Sequence, residues 1–392
     1  MTADINWVEH TRFLTPDARA SVQAEVTGYL DRLGPALSEY GLEGTNVYLG
    51  GSLARREPTA QCDDGTWHLA SDFDFVAVTR RLRKNHTVYG LAEHLQQGSG
   101  HFLPTVFIVA EEQLAGMRSF IGYDLWPMLA EPIYSEFDLV FPQRPVVGRA
   151  ERFEVFVHQL NAVLLYPHDE VGMKSAKHFR ASRAMHAQKA KLEGLRMAVD
   201  PGAHTAPGYN DLLEPWCITQ LAGIAPASQV EDMLRARELS QYADDGSDRD
   251  DALMLRCLYR FFGVGETHDT ELELISAVLA LGEPRTDLLS IFQLCVPLLL
   301  LACDPRNRIS KTAAAGCLTL LGHVDTARDV PTAGDAVRQL LSTDPAAMAW
   351  ELCQDRGSAT KDAWCAVRRD YYNRLGDHNF GRQVYDNYGI NT

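Results

Sequence analysis

Two aspartates one residue apart in an apolar run, Ser71-Asp72-Phe73-Asp74-Phe75-Val76-Ala77-Val78, are where this sequence can do chemistry. A strand repeats every two residues, so Asp72 and Asp74 share one face while Phe73, Phe75 and Ala77 share the other. Two carboxylates this close repel when buried alone and are stable together around a cation. For oxygen ligands at this spacing the expected ion is Mg²⁺. Upstream, the strand-like run Asn46-Val47-Tyr48-Leu49 leads into Gly50-Gly51-Ser52. Glycines in such a turn let backbone N–H groups approach a phosphate closely. Together these features imply a site for a metal-bound triphosphate. Two metals clamping an in-line displacement need a further bridging carboxylate. The candidate is Asp138, in the strand-like run 132–141, with Glu136 on the same face as the fallback. As general base, the third acid would take the proton from an attacking hydroxyl.

The elements that must position these groups are legible in the same way. Thr15-Pro16-Asp17 opens a helix, with Thr15 as its cap and proline in the first turn. That helix runs to about Tyr40, with Val22, Val26, Tyr29 and Leu33 at helical spacing and Gly41 ending it. Strands are expected near 46–50, 72–78, 103–109 and 132–141. From residue 150 the pattern turns helical, over 150–165, 170–198, 211–222, 228–241, 250–263, 270–281, 334–342 and 345–373. The fold class expected is therefore α+β, with a catalytic domain over 1–145 and a mainly helical nucleotide- or acceptor-binding domain over 146–392. Gln61-Cys62-Asp63-Asp64-Gly65-Thr66 reads as an inserted loop.

Bulk properties narrow the partners. The chain of 392 residues is 46% hydrophobic and 23% charged, an ordinary globular composition large enough for two domains. Its 52 acidic and 37 basic residues give a net charge of -15. Proteins that live on nucleic-acid phosphate carry basic surfaces, and the one basic cluster here is Arg80-Arg81-Leu82-Arg83-Lys84. The eight cysteines show neither Cys-x-x-Cys nor zinc spacing and read as buried thiols of a reducing compartment. No signal segment opens the sequence, and the most apolar stretch, 294–301, is too short to span a bilayer. A cytoplasmic protein without a membrane partner is expected.

Gly51-Ser52-Leu53-Ala54-Arg55-Arg56, followed by Asp72-x-Asp74 and a later Asp138, resembles the nucleotidyltransferase superfamily that includes DNA polymerase β. The spacer, residues 53–71, is longer than in that family. An insertion there can be looped out at a small entropic cost. Further pieces resemble the archaeal-type CCA-adding enzymes, with related poly(A) polymerases and oligoadenylate synthetases. Gly148-Arg149 with Phe156-Val157 is similar to the opening of their central domain. Lys174 and Lys177-His178-Phe179 are similar to the helix whose lysine contacts the triphosphate. Pro207-Gly208-Tyr209 with Leu212-Leu213-Glu214 is similar to their Gly-Tyr segment. Asp304-Pro305-Arg306-Asn307-Arg308 is similar to the segment that presents base-reading groups. The order of these pieces is the family's over roughly 45–350. The family's histidine after the domain opening is Phe153 here, and its arginine before the lysine is Lys174.

The resemblance implies a polymerase β-like palm and a two-metal Mg²⁺ site, in which Mn²⁺ can substitute, on Asp72, Asp74 and Asp138. It implies nucleotide binding by Gly51, Ser52, Arg55, Lys174, Lys177, Tyr209, Asn307 and Arg308. The reaction implied is transfer of a nucleoside monophosphate from ATP or CTP to an acceptor, releasing pyrophosphate. The acidic charge, and a tail from Trp364 too short for the domains that grip a tRNA body, favour a small-molecule or nucleotide acceptor over folded nucleic acid. The alternatives are an RNA or tRNA 3′-end transferase, a nucleotide second-messenger synthase, and an inactive nucleotide-binding module.

Overall fold

In the computed structural model, residues 11–39, 44–70, 73–80, 104–111, 132–140, 149–164, 176–202, 207–239, 250–264, 270–281, 297–298 and 300–301 are described. They form a mixed α/β structure: a long first helix is followed by the strands, and further helices follow from Arg149.

Helix α1 spans Pro16–Glu39. The Thr15 hydroxyl accepts from the Ala18 N–H at 3.3 Å, so the expected cap is formed. Val22, Val26, Tyr29 and Leu33 are all buried, which makes the helical spacing of these residues the reason the helix docks. Each contributes roughly 1.5–3 kcal/mol by leaving water. They pack with Val47, Leu49, Leu69, Ala77 and Ile133 in one apolar cluster.

Strand β1 (Thr45–Leu49) pairs antiparallel with β4 (Phe73–Thr79), and β4 pairs parallel with β5 (Pro104–Ala110). The three-stranded order is β1-β4-β5. Between β1 and β4 lie a one-turn helix α2 (Gly51–Ala54) and a hairpin of β2 (Ala60–Asp63) and β3 (Thr66–Leu69). The expected inserted loop is thus a hairpin. Its Asp64-Gly65 turn has φ of 50° and 81°, the left-handed pair that a tight two-residue connection needs. The hairpin lies on α1, where the Leu69 N–H donates to the Glu25 carboxylate at 2.8 Å.

One expected strand is corrected. Residues 132–140 make a single bridge, Val47 to Tyr134, and then leave the sheet. The competing partner is Asn46. Its side-chain oxygen accepts from the Glu136 and Phe137 N–H groups, and its amide donates to the Phe137 carbonyl at 2.8 Å. A side chain that satisfies three backbone groups removes the reason for a strand ladder.

The helices are α3 (Arg149–Leu164), α4 (Ala176–Ala198), α5 (Pro215–Leu221), α6 (Ala227–Glu238), α7 (Asp251–Phe262) and α8 (Thr270–Leu281). A short 3₁₀ turn, Asn210–Leu213, precedes α5 and divides the expected 211–222 helix. Helix α4 packs against α3 and α7. Gly194 sits at that crossing, where a Cβ would lie 3.2 Å from Phe156 and 3.4 Å from Cys257. Helix α7 is capped by Asp250, whose carboxylate accepts from the Leu253 N–H, and ends at Gly263 with φ of 71°. The helices expected over 334–342 and 345–373 lie outside the described residues. Among the described residues no helix is long and apolar enough to cross a membrane.

Candidate functional site

Strand β1 delivers the chain into Gly50-Gly51-Ser52 at its C-terminal end. Gly50 is extended (φ −123°, ψ −178°) and Gly51 has φ of 56°, a conformation that L side chains enter at a cost of about 1–2 kcal/mol. The reversal at Gly51 starts α2. As in any helix, the first N–H groups, those of Gly51, Ser52 and Leu53, have no acceptor inside it. Ser52 is buried.

The pairing of Leu49 with Phe75 sets this turn beside the start of β4. Asp74 is the next residue back along β4, so antiparallel continuation puts its backbone beside Gly50. On the other flank Asp74 is in register with Thr105 of β5. The glycine turn and one of the two aspartate positions are therefore neighbours at one end of the sheet. Asp72 and the Asp74 side chain lie outside what the structure describes.

Asp138 is at the other end. The bridge at Val47–Tyr134 is antiparallel, so each step beyond Tyr134 moves toward the start of β1. Glu136 takes a hydrogen bond from the Gly44 N–H, and Arg80, which follows the Thr45 partner Thr79, stacks on Phe137 at 4.8 Å. From Gly44 to Gly50 is six strand steps, roughly 20 Å. Asp138 is exposed there. A shared metal site for Asp74 and Asp138 is not what this register assembles, and Glu136 is bound at the same far end. The reason is the Asn46 network, which fixes where residues 135–137 sit. Among the described residues, no group of three or more His, Cys, Asp or Glu side chains is arranged to hold a metal. The case for Mg²⁺ rests on the Asp72-x-Asp74 spacing in the sequence.

Arg55 and Tyr209 are brought together, in a form the sequence did not suggest. Tyr209 is 1% exposed, with the guanidinium groups of Arg55, Arg196 and Arg237 within 5.7, 5.3 and 4.9 Å of its ring centroid. Its hydroxyl donates to Glu193 at 2.6 Å, and Glu193 receives Arg196 at 2.7 and 2.9 Å. Burial is the main cause that pushes the Tyr209 hydroxyl well above its ordinary range, with Glu193 adding to it. Tyr209 is thus an internal hub and offers no open face for a base to stack on.

The residue that sequence reasoning missed is Glu57. Its carboxylate accepts from Arg55 Nε at 2.9 Å and from the Asn210 N–H at 3.0 Å. Its own N–H donates to the Ser52 carbonyl at 2.7 Å, and its carbonyl accepts from Arg237 at 3.0 Å. Nothing in Arg55-Arg56-Glu57-Pro58 distinguishes this acid from a solvated one, because the partners that bury it, Asn210 and Arg237, lie 153 and 180 residues away.

Lys177 lies in the first turn of α4, while Glu193, which joins the Tyr209 hub, lies sixteen residues further along. At 1.5 Å per residue that is about 24 Å along the helix axis, and the Lys177 side chain lies outside what the structure describes. Phe153, at the position of the family's histidine, is a packing residue, stacked on Phe261 with centroids 5.8 Å apart. Lys174, Asn307 and Arg308 lie outside the described residues.

The chain matches no protein-family model, and no curated protein and no solved structure shows significant similarity to it.

Proposed function

We propose that the protein is a nucleotidyltransferase that moves a nucleoside monophosphate from ATP or CTP to a small-molecule or nucleotide acceptor, releasing pyrophosphate. The observation that carries this reading is the Leu49–Phe75 pairing, which joins the Gly50-Gly51-Ser52 turn to the Asp74 end of β4. A strand, a left-handed glycine reversal and a one-turn helix beside a second strand that carries Asp74 is the order such chemistry needs. The turn offers N–H groups and the Ser52 hydroxyl to phosphate oxygens, Arg55 adds a positive charge, and Asp72 with Asp74 supplies the acidic end. When bound there, Mg²⁺ would neutralise charge developing on the transferred phosphoryl group. The third carboxylate of the reading is left unassigned, since Asp138 is at the wrong end of β1. An acidic chain favours an acceptor held in a pocket over one gripped along a phosphate backbone.

The test is incubation of the protein with each α-labelled NTP and Mg²⁺, with and without bulk tRNA, following pyrophosphate release and transfer of label. Release dependent on Mg²⁺ and on a small acceptor is expected. Label on the tRNA 3′ end would select the RNA-directed reading, labelled dinucleotides or oligonucleotides the second-messenger one. Nucleotide binding without turnover would select the inactive module.

A further inference from the structure

The turn that would hold the triphosphate is held by more than its own sheet. Glu57, three residues after α2, is 1% exposed and satisfies four groups from three parts of the chain. Two belong to the turn itself, the Ser52 carbonyl and Arg55 Nε. The others are the Asn210 N–H and the Arg237 guanidinium, both in the helical part. Arg237 is itself fully buried, between the rings of Phe13 (5.3 Å) and Tyr209 (4.9 Å). Gly208 shows how tightly the carboxylate is seated, because a Cβ at that position would lie 2.6 Å from Glu57 Oε1. The side chain thus lies in a fitted slot with its charge facing Arg55.

We propose that Glu57 is a positioning residue for the nucleotide: it orients the Arg55 guanidinium and fixes the Ser52 turn, so that both meet the triphosphate in one geometry. The inference rests on the nucleotidyltransferase reading and names a residue through which the helical part sets nucleotide affinity. An arginine with a long, flexible stem loses side-chain entropy when it binds a phosphate. A carboxylate that already holds Nε at 2.9 Å has removed much of that freedom beforehand. Arg55 keeps 12% of its side-chain surface in contact with solvent, through which a ligand can reach it. Glu57 touches no nucleotide in this scheme and acts only through its partners.

The test is titration of the full chain with the Mg²⁺ complexes of α,β-methylene-ATP and α,β-methylene-CTP, and separately with AMP and CMP, with a thermal melt of each variant. Glu57→Gln keeps an acceptor for Asn210 and loses the charge facing Arg55. It should weaken the triphosphate analogue about tenfold, the loss of one charge-assisted contact, and leave monophosphate binding unchanged. Gly208→Ala, remote from the phosphates, pushes on the same carboxylate and should shift affinity the same way by a smaller factor. Because Glu57 works through Arg55, Glu57→Gln combined with Arg55→Ala should bind no more weakly than Arg55→Ala alone. A folded Glu57→Gln protein with wild-type affinity for the analogue, or losses that simply add, would overturn the proposal. Should Glu57→Gln fail to fold, a folded Gly208→Ala protein with wild-type affinity overturns it equally. If the wild-type chain binds neither analogue, the nucleotidyltransferase reading itself falls and takes this inference with it.

Discussion

The two ends of strand β1 are built from similar residues and behave differently. At the C-terminal end, Glu57 and Glu193 are buried, each matched to an arginine and to further hydrogen-bond donors. At the N-terminal end, Glu136 and Asp138 are exposed, and Glu136 is held by the Tyr134 hydroxyl and the Gly44 N–H. The first end is woven into the helices from Asn210 and Arg237; the second is closed locally by the Asn46 side chain. The lesson is that an acid on a strand-like run is placed by register and partners, and its flanking residues say little about which end of the strand it reaches.

Neutralising one acid at each end should give the largest difference between them. Asp74→Asn should lower the rate of pyrophosphate release on the order of a thousandfold, whereas Asp138→Asn should stay within about twofold of wild type. Comparable losses in both variants would mean that Asp138 lies beside Asp74 after all.

Next in size is the buried ion pair. Glu193→Ala strands Arg196 in the interior and leaves the Tyr209 hydroxyl without its acceptor, so unfolding free energy should drop by about 3–5 kcal/mol. Glu136→Gln, at the exposed end, should cost no more than about 0.5–1 kcal/mol. Denaturant melts read both, and equal midpoints would erase the distinction between the two ends.

Gly51→Ala probes the reversal alone. The left-handed φ should cost about 1–2 kcal/mol in a chemical melt, together with a loss of triphosphate affinity. An alanine variant as stable and as tight-binding as wild type would show that the turn can relax without consequence.

The smallest effect is a pH dependence in the helical part. Burial pushes the Cys217 thiol from 9.0 up to about 12. The unfolded thiol ionises first, so the unfolded state binds fewer protons above pH 9 and stability falls as pH rises toward 12. The slope from this group is at most about 1.4 kcal/mol per pH unit. It should flatten in Cys217→Ala, and an unchanged slope would point to other buried groups.

Elements whose patterns are local follow from their own residues. Helix α1, its Thr15 cap and its buried face follow from i, i+3, i+4 spacing, because a helix closes its hydrogen bonds within the segment. Most of the helices through α8 follow for the same reason, and strands β1, β4 and β5 follow from short apolar runs bounded by polar or glycine residues. So does the glycine turn, since the left-handed conformation at Gly51 favours that residue type. The pairings between distant segments are set by the fold as a whole. Asn46, by capturing 136 and 137, turned an expected strand into a loop and carried Asp138 away from Asp74. The hairpin formed where a loop was expected because α1 offered it a face. Tyr209 went inside and Glu57 became the tie between turn and helices because each meets partners far away in sequence, and no short stretch of residues records a contact made across so many others.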